Sequence, residues 1–279
     1  MQKSIVLKIG KLLIYRSKYF QSDTAKIYQK IKELLGQGER VLFCGSPCQN
    51  AALREYLGGE QEGLVQCDFV CRGINSPKAH RAHVRELEKR HGSEVSFFNF
   101  KNKSAGWTSL GLLVEFKNGQ QDFTDRNTSA WTEGYIMSNL YMRPSCEHCR
   151  FKKIPRISDI SFADFWGLDG GPENMRKGMS LVMVNTEKGR QFYEQTRPLI
   201  HSETQTLEKA ISGNKCILCS PQYNHKKRAE FFARVDKEDF SKLVHRLDRG
   251  EKVKGCMKKP LRWAKRAAKK MLKGKAHET

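Results

Sequence analysis

The sequence predicts an α/β protein with a mixed, largely parallel sheet, flanking helices, a Cys-bearing loop and a helical C-terminal part. Three observations predict it. Short apolar runs alternate with amphipathic stretches between residues 23 and 90, the rhythm of strand–helix units. An Asn-Gly pair between two extended runs marks a hairpin. Beyond residue 186 the apolar spacing turns mostly helical, with no internal repeat or low-complexity linker before residue 251.

Taken in order, residues 23–35 set Ile27, Ile31, Leu34 and Leu35 on one helical face, with Ser22 or Asp23 to cap the start and Gly36 or Gly38 the end. Residues 40–44 form a short apolar run, expected as a buried strand. It enters the turn Gly45-Ser46-Pro47-Cys48, followed by a helix over residues 49–57. Residues 64–71 read as a second strand, and residues 77–90 as an amphipathic helix with proline in its first turn. From Glu94 the pattern changes. Residues 109–117 and 121–124 flank Asn118-Gly119 as the hairpin. A polar, Cys-bearing loop spans residues 143–156, and residues 159–164 and 180–185 read as further strands.

Composition narrows the class. The 279 residues include 51 Lys+Arg against 30 Asp+Glu, a formal charge of +21. Hydrophobic residues make up 38%, and the glycines raise this to about 46%, the share of a folded globular chain. The longest apolar runs are a few residues, which excludes a helix crossing a membrane. Residues 4–15 resemble a signal peptide only superficially: Lys8 and Lys11 break the apolar stretch and no small-residue cleavage site follows. Nine cysteines without an export signal point to thiols, cluster ligands or zinc ligands rather than disulfides, and to a cytoplasmic protein.

The charge is uneven. Residues 252–277 hold eleven Lys/Arg and no acid, so the rest carries 40 basic against 30 acidic residues. Met257, Leu261, Ala264, Ala268, Met271 and Leu272 form a helical stripe opposite lysines and arginines. The expected organisation is therefore an α/β domain over residues 1–250 and a basic amphipathic tail over residues 251–279. Such a tail suits peripheral contact with an anionic inner membrane surface, an acidic partner, or packing on the body. Nucleic acid is disfavoured, since the body lacks a binding motif or a basic stripe interleaved with aromatics.

The cysteines carry the chemistry. They fall as Cys44-x3-Cys48, Cys67-x3-Cys71, Cys146-x2-Cys149 and Cys216-x2-Cys219, with Cys256 alone. Cys44 and Cys67 lie inside expected buried strands, where cysteine behaves as a small hydrophobe. Cys48 and Cys71 lie where a strand's carboxyl end gives way to a turn, the ligand-bearing end of a parallel sheet. Cys146 and Cys149 sit in the polar loop, with little hydrophobic reason to be there. Together Cys48, Cys71, Cys146 and Cys149 suit a cubane [4Fe–4S] cluster or a structural zinc. Arg72, Arg143 and Arg150 adjoin them, and cations so placed lower thiol pKa values. His148 is read as an exposed loop histidine. Arg156 is positioned to pair with Asp159 or Asp164. No Ser–His–Asp set or Walker loop occurs.

At these residues the chain resembles the coenzyme F-420 (deazaflavin) hydrogenase/dehydrogenase beta-subunit family. The matching stretches are Gln21-Ser-Asp-Thr24, Gly45-Ser-Pro-Cys-Gln49, Asp68-Phe-Val-Cys-Arg-Gly73 and Lys103-Ser-Ala-Gly-Trp107, then the segments at residues 143–151, 156–167 and 177–186. The resemblance covers roughly residues 18–235. It implies an iron–sulfur flavoprotein oxidoreductase that passes electrons between FAD and a [4Fe–4S] cluster held by Cys48, Cys71, Cys146 and Cys149. Ferredoxin, deazaflavin or a companion subunit would be its redox partner. Gly45 and Ser46, in a turn before a helix, are candidates for a flavin phosphate. Lys103 and Trp107, a cation and an aromatic stacking surface, are candidates for the flavin or substrate pocket. The family's usual Cys-His-Gly reads Cys71-Arg72-Gly73 here, and the chain starts where family members are already under way, so part of a flavin site is expected to lie outside it. The contrasting reading is a non-catalytic, zinc-stabilised module that binds an acidic partner or nucleic acid.

Overall fold

The computed structural model describes residues 19–168 and 171–248. The basic tail, Cys256 and the apolar stretch at residues 4–15 lie outside the described residues. The first sheet has the order β1-β2-β6-β7, with β1 Val41–Cys44, β2 Leu64–Phe69, β6 Ile160–Asp164 and β7 Ser180–Val184. β1, β2 and β6 run parallel, with Val41 opposite Leu64 and Cys67 opposite Ile160; β7 returns antiparallel, Phe162 opposite Val182. The expected mixed, largely parallel sheet is thus present.

Helices α1 (Ala25–Gly36) and α2 (Pro47–Tyr56) cover one sheet face. There Ile31, Leu34, Val41, Phe43, Leu53 and Leu64 form one cluster. Burying side chains such as Ile31 and Leu53 contributes about 1.5–3 kcal/mol each. α1 does not begin where the sequence suggested. Its N-cap position is Thr24, and Ser22 instead accepts a hydrogen bond from Gln49 Nε2 at 3.1 Å. On the other face, α6 (Glu187–Thr196) packs Phe192 and Tyr193 over Val65, Cys67 and Ile160. That cover is partial. β1 is an edge strand, so Leu42 is 53% exposed and Cys44 is exposed, while Phe69 and Phe162 stand uncovered at 41% and 39%. The expectation of a buried Cys44 is therefore corrected; Cys67 is the buried hydrophobe.

A second, antiparallel sheet joins β3 (Val95–Asn102), β4 (Gly111–Phe116) and β5 (Gln121–Asp125). The hairpin turns at Asn118-Gly119, with Gly119 at φ 86°. β3 escaped the sequence reading for a physical reason. Register shifts between Val95 and Phe97 and between Asn99 and Asn102 break the alternation that identifies a strand.

The largest core lies between this sheet and α3 (Pro77–His91), α4 (Ala130–Thr132), α8 (His225–Arg234) and α9 (Phe240–Asp248). Trp131, Tyr141, Phe231 and Phe240 fill it. His83 stacks on Phe240 at 4.7 Å and on Trp131 at 5.8 Å, and His80 packs against Phe98 at 4.8 Å. Both histidines are neutral inside this aromatic box. Burial, with Arg81, lowers the His80 pKa to about 4; burial, with His80 and Arg90, lowers that of His83 to about 3. His80 Nε2 and His83 Nδ1 have no hydrogen-bond partner among the described residues, as an uncharged ring tolerates better than a charged one.

The unfolded chain binds these protons near the ordinary histidine pKa, the folded chain only below about 4. Stability from the neutral rings is therefore complete above the unfolded value and falls as pH drops through this window. We expect a slope of up to about 1.4 kcal/mol per pH unit for each histidine. Urea midpoints measured between pH 7 and 4 check this, and His83→Phe should flatten the profile.

Candidate metal centre

The turn after β1 is fixed by a buried polar network. Asn50 Nδ2 donates to Gly45 O at 3.1 Å and to Cys67 O at 2.9 Å, while Gln66 Nε2 donates to Asn50 O at 3.0 Å. A Cβ at Gly45 would stand 2.9 Å from the Phe43 ring, so this close approach requires glycine. The Gly45 N–H donates to Cys67 O at 3.1 Å, and the Ser46 N–H to Gln49 Oε1 at 2.9 Å. Both amides are thus engaged, and the two residues offer no open phosphate cradle. Their role is to start α2 sharply. Cys48 follows as the second residue of that helix, exposed, with its Sγ 3.2 Å from Ser46 Oγ.

Cys71 leaves the carboxyl end of β2, and residues 73–76 then run beside residues 141–143. The Arg143 N–H donates to Ile74 O at 2.7 Å and the Ser76 N–H to Tyr141 O at 2.9 Å, around an antiparallel bridge of Asn75 with Met142. Gly73 makes the approach possible. A Cβ there would lie 2.4 Å from Met142 Sδ and 3.3 Å from Cys146 Cβ. Cys146 closes a short turn, Pro144–Cys146, and the Cys149 N–H donates to Ser220 Oγ at 3.1 Å. Lys152 donates its ammonium to Cys71 O.

The outcome is one small cavity of about 30 Å³ walled by Cys48, Cys71, Cys146 and Cys149, with Gly73, Phe151, Lys152 and Arg156. The four cysteines singled out in the sequence meet from three separate segments. As their side chains stand, no group of three or more His, Cys, Asp or Glu among the described residues is spaced to hold a metal ion. The donor chemistry nonetheless fits a thiolate-ligated centre. Four thiols share one wall, the Ile74 backbone hydrogen-bonds to Cys146, and Lys152 and Arg143 supply positive charge.

The electrostatics corrects one expectation. Burial pushes the Cys71 thiol up to about 12, opposed by Lys152 and reinforced by the neighbouring cysteines. Burial also raises Cys146, opposed by the Ile74 hydrogen bond and Arg143. The cations soften the desolvation of the thiols without overcoming it. Arg72 also lines the cavity, but its guanidinium is turned to other partners, donating to Ile136 O at 2.5 Å and Asn139 Oδ1 at 2.8 Å. The cation at Cys71 is Lys152, beyond the Cys-x-x-C motif, where sequence adjacency gave no signal.

Arg156 pairs with neither Asp159 nor Asp164. Its Nη2 meets Asp68 Oδ1 at 3.0 Å, the two side chains being 1% and 0% exposed. It also donates to Ser161 Oγ, Phe151 O and Phe69 O. Asp159 accepts from the Gln66 N–H at 2.7 Å and from Thr186 Oγ1 at 2.6 Å. Asp164 pairs with Lys101, with Lys103 4.0 Å away.

Lys103 and Trp107 belong to this second cluster and do not wall the cysteine cavity. Trp107 is 1% exposed and stacks on Trp166 at 4.3 Å, its Nε1 donating to Asp164 Oδ1 at 3.4 Å. It supports that cluster from beneath and offers no open ring face. His148 is exposed, as expected, and lies 3.8 Å from the buried Glu147 carboxylate. His225, unremarkable in sequence, is closer at 3.2 Å.

Removing one partner of a buried pair leaves the other charge uncompensated. Arg156→Ala should therefore destabilise the protein by about 3–5 kcal/mol in urea melts, whereas Arg156→Met combined with Asp68→Leu should recover most of the loss.

Comparison with known sequences agrees with this arrangement of motifs. Residues 38–210 match the family model for the C terminus of the coenzyme F420 hydrogenase/dehydrogenase beta subunit. No curated protein matches the chain. The matched segment contains all four cavity cysteines, the Arg156–Asp68 pair and the whole first sheet. The chain therefore belongs to the coenzyme F420 hydrogenase/dehydrogenase beta-subunit family, through that family's C-terminal region.

Proposed function

We propose that the chain is an iron–sulfur flavoprotein oxidoreductase, or the C-terminal part of one, in which Cys48, Cys71, Cys146 and Cys149 ligate a [4Fe–4S] cluster. One observation carries the reading: four thiols from three segments line one cavity at the carboxyl end of a parallel sheet. Family membership supports an oxidoreductase role and association with a companion subunit. When bound, the cluster supplies single-electron transfer and the flavin supplies hydride or two-electron exchange.

The protein's own groups do the rest. Burial holds the Cys71 and Cys146 thiols toward their protonated form, so loading must displace their protons and weakens as pH falls. Lys152 and Arg143 offset the negative charge of the thiolates, and the Ile74 backbone group bonds to Cys146. Phe151 supplies an apolar part of the cavity wall, and Arg156–Asp68 anchors the Cys-bearing loop to β2.

FAD belongs, in this reading, to the second cluster. Phe69 and Phe162 are register partners on an uncovered sheet face, and Asp164 lies two residues further on that same face. Lys103 stands beside Asp164, while Lys101 and Arg126 lie over the Trp166 ring at 5.7 and 5.9 Å. An uncovered aromatic surface edged by cations suits a planar ring system carrying phosphates. Lys103 is the group expected to meet the cofactor, with Trp107 holding Trp166 in place.

Anaerobically purified protein should be brown, with about four irons and four acid-labile sulfides per chain. Cys146→Ser should abolish iron and Cys44→Ser should leave it. Colourless protein with stoichiometric zinc would overturn the cluster in favour of a zinc-stabilised module. Flavin is tested separately: Phe162→Asp should lose flavin absorbance by at least tenfold while keeping iron.

A further inference from the structure

We infer that the surface over the cysteine cavity is a docking face for an acidic protein. Two distant segments form it. Residues 138–158 carry five Lys/Arg and one acid, Glu147; residues 209–229 carry five Lys/Arg and none. Four contacts join them: the Cys149 N–H to Ser220 Oγ, Gln222 Nε2 to Glu147 O, His225 to the Glu147 carboxylate, and Arg228 Nε to Met142 O. The single acid is 5% exposed, with its carboxylate turned toward histidines. Within these bounds no carboxylate is exposed, and Glu208 and Glu230 flank the second segment.

Elsewhere, many cations are neutralised locally, Arg190 by Glu187, Arg246 by Glu238, Lys177 by Glu173 and Lys78 by Asp236, while Lys26, Lys32 and Lys89 stand exposed on other helices with no carboxylate at ion-pair distance among the described residues. Here, Arg143, Arg150, Lys153, Lys215 and Lys226 are exposed, and none has a carboxylate within ion-pair distance among the described residues. Unpaired like charges on one face cost stability by mutual repulsion and create a field that steers an oppositely charged partner. The surrounding chemistry favours protein over nucleic acid. Exposed Pro144 and Pro155 supply apolar contact. The aromatics are withheld from stacking: Phe151 and Tyr223 are half-buried, and Arg228 lies over the Tyr223 ring at 5.3 Å. Docking here sets the partner against the loops that bear Cys146 and Cys149. The association itself stands whether or not the cavity holds a cluster.

The test reads binding and not turnover, so it fails independently of the iron measurement. The full chain is titrated with a small acidic ferredoxin by biolayer interferometry at low and at raised salt, with iron present and after Cys146→Ser. Wild type should bind at low salt and weaken steeply as salt rises. Lys153→Glu, Lys215→Glu and Lys226→Glu together should weaken binding at least tenfold, and the corresponding Gln set by an intermediate factor. The same reversal at Lys26, Lys32 and Lys89, exposed on other helices, should change it less than twofold. Equal weakening by both sets, or none by the first, overturns the proposal. So does tighter binding of an oligothymidylate or of phosphatidylglycerol vesicles that the first set abolishes.

Discussion

The buried pair between Arg156 and Asp68 is the contact on which the site depends. β2 delivers Asp68 to the sheet interior three residues before Cys71, and the Cys-bearing loop delivers Arg156 seven residues after Cys149. A charge withdrawn from water at either position costs several kcal/mol unless the other stands beside it. The pair therefore favours one closure of the loop, with its guanidinium also bound to Phe151 O, Phe69 O and Ser161. That closure brings Cys146 and Cys149 to the wall already occupied by Cys71 and Cys48. Polar specificity, not apolar bulk, sets the geometry.

Around that anchor the fold divides its work. The first sheet and its helices aim the carboxyl ends of β1 and β2, where turns must form. The second sheet, with α3, α8 and α9, builds the aromatic core that backs residues 73–76 and 141–143. At Gly73 residues 73–76 approach residues 141–143 closely, and a side chain there would collide with Met142. Two groups of charge result, one around the thiols and one around Asp164.

Much of the site was legible in advance. A Cys-x-x-C in a polar loop and cysteines at strand ends have no packing reason to be there, and those four converge on one cavity. Lys152 and His225 were not legible, since each acts on a residue reached only through a loop fold. Lys103 and Trp107 were found as a pair, but a stacked, buried tryptophan cannot be told from an open one by its neighbours in the chain.

The sequence by itself determined the strand–helix order of the first sheet, the hairpin and which four cysteines stand at strand ends or in a polar loop, because periodicity and residue type are local properties. Only the tertiary structure decided which carboxylate Arg156 meets, that Cys44 is exposed at a sheet edge, and that two basic segments 71 residues apart at Cys149 and Ser220 share one face. Those outcomes turn on which surfaces are left uncovered once the chain closes, and no local pattern encodes that.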